Sequence, residues 1–388
     1  WVSLSDKYGK LPFASLFESA IHYAEDGFLV GPKSAYYWQL LERTYKAYPD
    51  WGAHFSPVPA PGARFKRPEL AQTLRLIAQS KGEAFYQGEL AAAIDAASRA
   101  QGGAMRIADL VAHQPLWVAP TEQAYNGVCL HEIPPNGQGL AAQIALGILQ
   151  HVEPAAVDSA AWVHQQTEAM KIAVRASFEH FADPRAMTLP PEVLLAPGSL
   201  ERAAKLINDR AQSLPPVSLP ISEDTVYLTT ADADGMMVSY IQSNFLAFGS
   251  GIVIPGTGIS MQNRGSGFVL DPNHPNCVGP GKRPFHTIIP GFVTQDEQPL
   301  MSFGVMGGHM QHQGHVQMVT RMFDHQQNPQ AASDAPRWHV YPDFSLGLEG
   351  GFDPSVLEAL QARGHQVRFD PMESTFGGAQ LIRRMNDG

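Results

Sequence analysis

Apolar residues recur at three- and four-residue spacing through LFESAIHYAEDGF (16–28) and PELAQTLRLIAQ (68–79), the period of amphipathic helices. From Pro12 to about Ser213 this pattern dominates and predicts a mostly helical half. Within it, YNGVCLHEIPPNGQG (125–139) reads as a short strand and a Pro/Gly-rich turn, and LAAQIALGILQ (140–150) resumes a helix. LPPVSLPISED (214–224) has no period, is rich in proline and ends polar, which marks a linker or an exposed loop where a chain could be cut. The period then changes to two. TVYLTTAD, the turn ADG and MMVSYIQS predict a β-hairpin whose first residue is Thr225. Further strands are expected at ISMQNRG (259–265), FHTIIPGFVTQ (285–295), PLMSFGVMG (299–307) and HQVRFDP (365–371). Helices are expected at HVQMVTRMFDHQQ (315–327) and PSVLEALQARG (354–364). Strands and helices in segregated runs predict a layered α+β architecture, and no repeat is visible at periods of 20 to 50 residues.

Composition narrows the class. With 388 residues, 44% of them hydrophobic and 16% charged, the chain can bury a large core in one big domain or two intimate ones. No apolar run approaches the roughly 20 residues that span a bilayer. The net charge of −10 opposes a broad nucleic-acid surface. Cys129 and Cys277 lie far apart in unlike contexts, so two buried thiols are expected and neither a disulfide framework nor a thiolate metal site. The first residues show no signal peptide, and a chain starting at Trp1 suggests a missing upstream segment; a cytoplasmic and a periplasmic location both stay open.

A threonine hydroxyl becomes a useful nucleophile when a base removes its proton, and the free α-amino group of a chain-terminal threonine does this near neutral pH. Thr225 stands where the linker ends and the first strand begins, as such chemistry requires. Its neighbours make the case specific. DTVYLTTADADGMMVSYIQSNFLAFGSGIVIPGTGISMQNRGSGF closely resembles the opening of the small subunit of γ-glutamyltransferases, especially their lid-poor, cephalosporin-acylase-like branch. VGPGKRPFHTIIPGF, GVMGGHMQHQGH, DAPRWH and LEGGF follow in family order, and YAEDGF, AFYQGELA and IPPNGQG resemble the later part of the large subunit, so the resemblance covers essentially the whole chain.

The resemblance implies the four-layer αββα sandwich of N-terminal-nucleophile hydrolases, matured by self-cleavage between Asp224 and Thr225. Residues 1–224 would form the C-terminal part of a large subunit and 225–388 a small subunit that starts with the nucleophile. The implied reaction is attack of Thr225 on a γ-glutamyl or glutaryl-type amide, an acyl-enzyme ester, and release to water or an amine acceptor. No cofactor or metal is called for, and further homodimerisation is left open. Gly307 and Gly308 match the family's oxyanion-hole pair, where absent side chains let backbone N–H groups approach the reacting carbonyl. Ser243 stands where the family has a second Thr bonded to the nucleophile. His286 and Thr287 occupy the positions of two serines that hold the substrate's α-carboxylate end, with Thr287 the more conservative replacement.

Other positions depart from the family. Gly267 replaces the acidic residue that grips a glutamyl ammonium, and Arg264 stands three residues earlier in place of Gln or Glu, beside Asn263. A missing carboxylate and an added guanidinium favour an acyl group carrying negative charge without a nearby ammonium, such as glutaryl. Phe245 replaces an Asn that the adjacent Asn244 could supply. VLDPNHP (269–275) is shorter than a transpeptidase lid, so a more open site and hydrolysis over transfer are expected. The family's carboxylate-clamping arginine falls upstream of Trp1. His309, His312 and His315, three apart in GGHMQHQGH, are expected to line or border the cleft, not to hold a metal. Met261, Met301, Met306 and Met310 are expected as packing. The alternative is a relative that keeps the fold, fails to mature and only binds.

Overall fold

The computed structural model describes residues 1–217 and 225–385, so Asp224 and its bond to Thr225 lie outside the described residues. The chain divides into two compact units, one of residues 1–117 with 248–262 and the other of 118–247 with 263–388. This is a division by packing, whereas the expected division at Thr225 is one of covalent processing.

The mostly helical half that the sequence predicts from Pro12 to about Ser213 is shared between the two units, and its earlier part makes up most of the first. The helices of the first unit include Glu18–Asp26, Pro32–Tyr45, Pro49–Phe55, Pro68–Gln79 and Glu89–Ala100. Three of them start on proline, whose fixed φ suits the first helical position and whose missing N–H would be unpaired there anyway. They close around aromatic rings: Trp38, Tyr45, Trp51 and Phe55 all pack against Phe248, with centroids 4.7–5.6 Å away. ISMQNRG forms less strand than expected, since Ile259–Ser260 alone pairs, with Val253–Ile254.

The second unit carries the sheet. Strands β1 (Thr121–Tyr125), β2 (Val128–Glu132), β5 (Gly291–Gln295), β6 (Gln298–Met306) and β7 (Gly378–Arg383) form an antiparallel sheet in the order β7-β6-β5-β2-β1. On one face lie α1 (Gly139–Leu149), α2 (Ala160–His180) and α3 (Met310–Phe323). Every residue of α1 is buried, which is why its sequence is apolar all round and not striped. Leu130, Met301, Phe303, Val305 and Val316 join α1 in one core. The intervening sheet residues point to the other face, where β3 (Val226–Ala231) and β4 (Met237–Gln242) form the predicted hairpin. The hairpin is seated by Thr229, whose hydroxyl bonds Ser302, and by Tyr227, whose ring covers Gly304 so closely that a Cβ there would collide with it. Helices, sheet and hairpin are thus successive layers of an α+β unit.

FHTIIPGFVTQ is strand from Gly291 alone. Residues 285–289 find other partners: Phe285 N–H donates to Asn276 Oδ1 at 2.9 Å, His286 N–H to the Asn136 carbonyl at 2.9 Å, and Ile289 N–H to Gln311 Oε1 at 3.2 Å. Side-chain amides and the backbone of residues 136–138 take the place of the ladder beside the candidate site.

A buried polar chain fixes the segment leading to the linker. His164 Nε2 donates to the Asn208 carbonyl at 2.6 Å, so its Nδ1 accepts from His365 Nε2 at 2.7 Å. His365 Nδ1 therefore faces the Lys171 ammonium, 3.3 Å away, and Lys171 pairs with Glu168 at 2.7 Å. Burial holds both imidazoles neutral and pushes His365 down to about 3. Glu168 also accepts from Gln212 N–H at 2.9 Å.

Candidate active site

The register that pairs Val226 with Gln242 sets the residues just outside it, Thr225 and Ser243, across from each other. The Thr225 hydroxyl donates to Ser243 Oγ at 3.4 Å, and Gln311 Nε2 donates to Thr225 Oγ1 at 3.5 Å. Both bonds are long, as such contacts commonly are before substrate binds. Ser243 Oγ also accepts from Phe245 N–H at 2.9 Å, which bends the chain sharply after β4. Phe245 takes φ 81°, a left-handed conformation that a bulky residue adopts at a cost of order 1–3 kcal/mol. The bend is stapled by Asn263, whose Oδ1 accepts from Leu246 N–H at 3.0 Å and whose N–H donates to the Asn244 carbonyl at 3.2 Å. Asn244 is exposed.

The strained Phe245 ring is buried beneath Arg264, whose guanidinium carbon lies 4.8 Å from the ring centre. Arg264 is 7% exposed and donates from Nη1 to Thr287 Oγ1 at 3.1 Å. Burial lowers its pKa to about 10, so it stays a cation at neutral pH. His286 sits one residue from Thr287 and is pushed down to about 3, first by burial and then by the charges of Arg264 and Arg283. It is a neutral group, and the local positive charge belongs to Arg264. At Gly267 a Cβ would stand 2.6 Å from the Phe285 carbonyl oxygen, so an acidic side chain has no room without a backbone shift.

Gly307 and Gly308 follow β6 directly, with φ of 120° and 57°, and lead into α3. The Gly307 carbonyl accepts from Met310 N–H at 2.9 Å and the Gly308 carbonyl from Gln311 N–H at 3.2 Å. Among the described residues neither glycine N–H is spent on a hydrogen bond. Gln311 thereby joins the glycine loop to Thr225. The structure brings Thr225, Ser243, Asn263, Arg264, Thr287 and the glycine pair into one bonded chain; His286 enters it through its backbone.

Two buried amides went unnoticed in the sequence. Gln138, in IPPNGQG, donates to the carbonyls of Thr287 and Gly308, and Gln311 reaches Thr225 from the histidine-rich stretch. The histidines themselves are more deeply placed than expected. His312 is bonded to Gln138 and His315 to the buried Glu132 at 2.5 Å, so they support the site from inside the core and do not line a cleft. Among the described residues two groups could gather around a metal ion, Glu122–Cys129–His131 and His164–Glu168–His365, and neither includes a residue of this chain around Thr225. Cys129 and Cys277 are both partly buried. Residues 269–277 close on themselves as a short loop, with Val269 N–H bonded to the Asn276 carbonyl and His274 Nε2 to the Phe178 carbonyl at 2.7 Å.

The model of the gamma-glutamyltranspeptidase family matches residues 1–388. A glutathione hydrolase-like proenzyme from Bacillus subtilis is 35% identical over all of this chain and 76% of its own length. An oxamate amidohydrolase proenzyme from Klebsiella pneumoniae is also 35% identical, over 97% of this chain and 73% of its own. Among solved structures, a cephalosporin acylase from Bacillus halodurans superposes with a TM-score of 0.95 at 43% identity, covering this whole chain and 73% of its own.

Proposed function

Since this chain belongs to the gamma-glutamyltranspeptidase family, an amidohydrolase made as a precursor that yields a large and a small subunit, we propose that Thr225 is its nucleophile and that Asp224–Thr225 is the bond cut. The fold is the α+β sandwich of the N-terminal-nucleophile hydrolases. The observation that carries the reading is the contact of Thr225 Oγ1 with Ser243 and Gln311, at the first residue before a strand and next to the glycine loop.

In this reading the freed α-amino group of Thr225 takes the hydroxyl proton as Oγ1 attacks the amide carbon. The carbonyl oxygen becomes an oxyanion facing the N–H groups of Gly307 and Gly308. Collapse breaks the C–N bond, the ammonium returns its proton to the leaving amine, and an ester remains on Thr225. A water then attacks the ester through a second oxyanion, releasing the acid and restoring the hydroxyl. Arg264, oriented by Thr287 and backed by Phe245, pairs with a carboxylate on the acyl chain. With Gly267 barring an acidic side chain, the preferred acyl group carries a carboxylate and no ammonium, glutaryl being the simplest case. The relative named for oxamate, a small carboxylate amide, fits this preference. The short loop 269–277 supports hydrolysis over transfer. The alternative of a silent binding protein finds no support among relatives named as hydrolases and acylases.

Intact-mass measurement and N-terminal sequencing of purified full-length protein test the first part. A new terminus at Thr225 is expected, and Thr225→Ala should remain one chain without turnover; a parent that is never cut, or an active variant, refutes it. Glutaryl-p-nitroanilide should be cleaved at least as fast as its γ-glutamyl analogue. A strong preference for the γ-glutamyl compound would overturn the roles given to Arg264 and Gly267.

A further inference from the structure

Gln138 does no chemistry in this scheme, yet it is completely buried and its side chain makes three hydrogen bonds. Its amide NH2 donates to the Thr287 carbonyl at 2.6 Å and to the Gly308 carbonyl at 2.8 Å, and its Oε1 accepts from His312 Nδ1 at 2.9 Å. The amide can face one way alone, because a flip would set its oxygen against two carbonyl oxygens and its NH2 against an N–H. His312 is fully buried and held well below its usual pKa by that burial and by neighbouring imidazoles, so it is a neutral donor of fixed tautomer. The loop that carries Gln138 is itself pinned, its N–H donating to the His286 carbonyl at 2.9 Å.

We propose that Gln138 is a positioning residue that locks the Gly307–Gly308 loop in the oxyanion-binding orientation and in register with the Thr287–Arg264 end of the site. Two consecutive glycines at positive φ are the least restrained backbone a chain can offer, and a flip of a peptide plane there would turn a carbonyl oxygen towards the substrate. Gly307 is held through its carbonyl by Met310 N–H. Gly308 is held by Gln311 N–H and, more closely, by Gln138. One NH2 group thus spans the parts of the site that bind the reacting carbonyl and the acyl tail. An oxyanion donor is useful to the extent that its direction is set before reaction. The inference rests on reading Gly307 and Gly308 as those donors.

The test compares matured parent, Gln138→Glu and Gln138→Asn on whichever of glutaryl- and γ-glutamyl-p-nitroanilide the parent cleaves, with kcat, KM and Tm measured for each. The introduced carboxyl of Gln138→Glu keeps the shape but faces two carbonyls with acceptors, and the Asn is one methylene short. Each should lose kcat about 10- to 100-fold, less than the roughly 100- to 1,000-fold of deleting an oxyanion donor because the donor is misdirected and not removed, while KM moves less than about threefold. Unchanged kcat in Gln138→Glu, or a rise in KM with kcat kept, overturns the proposal. Should Gln138→Glu prove insoluble, Gln138→Asn carries the test on the same split. If Thr225→Ala is dead while Gln138→Glu turns over like the parent, the role of Gln138 alone falls; a parent inactive on every amide removes the underlying reading.

Discussion

Replacing Arg264 with Gln probes recognition of the acyl tail. The guanidinium is 7% exposed, and the fall of its pKa from 12.5 to about 10 is attributable to burial. Taken as 2.5 × 1.36, that is about 3 kcal/mol of charge desolvation. A substrate carboxylate docking against Arg264 offsets that penalty, so its removal should lower kcat/KM for a carboxylate-bearing substrate by about 2–3 kcal/mol, or about 30- to 150-fold. The assay uses a matched pair, glutaryl-p-nitroanilide and valeryl-p-nitroanilide, equal in chain length and differing in the terminal carboxylate. Damage to the fold, to Phe245 or to Thr287 would depress both substrates alike, so the ratio isolates the charge. Arg264→Lys, which keeps the charge without the planar fork, should fall between. A ratio that is the same in parent and Arg264→Gln refutes the assignment.

Gln311→Leu removes the donor to Thr225 Oγ1 and the acceptor for Ile289 N–H; kcat should drop about tenfold with KM little changed, and steady-state kinetics decide it. Gly304→Ala drives a methyl into the Tyr227 ring, which should destabilise the hairpin by about 1–3 kcal/mol and slow the appearance of the Thr225 terminus, read by mass against time. Acid should unfold the protein partly through His365. The unfolded imidazole protonates near 6.5 and the folded one near about 3, so the unfolded state binds the extra proton in this window and stability falls as pH drops through it, by up to about 1.4 kcal/mol per pH unit. His365→Gln preserves the acceptor for Lys171 and the donor for His164 but cannot titrate. Its melting temperature should fall less than the parent's between pH 7 and pH 4.5, by the equivalent of about 2–3 kcal/mol; parallel curves would refute the neutral-chain account.

The hairpin after Thr225, the helices 68–79 and 139–149 and the run into β6 were legible because each has a clean period and a one-sided or complete burial that follows from it. β1 and β7 were missed. β1 alternates inward and outward without strong apolar residues, TEQAY, and β7 takes its place by pairing with β6, some 75 residues earlier in the chain. Residues 285–289 read as strand but are flanked by Pro284 and Pro290, and their polar groups are met by side-chain amides and by the backbone of residues 136–138. In the site, Thr225, Ser243 and the glycine pair could be named because they occur in ordered motifs. Gln138 and Gln311 could not. A glutamine in a turn or helix has no periodic signature, and its value lies in which distant carbonyl it meets. In HMQHQGH attention goes naturally to the imidazoles, whereas the amide between His309 and His312, that of Gln311, touches Thr225.

The seating of Tyr227 over Gly304 bears on what cleavage leaves behind. A fresh chain end is ordinarily the most mobile part of a protein, and a general base that wanders is of little use. Here the second residue of the new chain would already be paired in a ladder with Gln242, and the third would be wedged against the central sheet. Cutting the bond would therefore release a charge-bearing amine without releasing the residue that carries it. On the proposed cut at Thr225, the precursor fold tethers its own catalyst before making it.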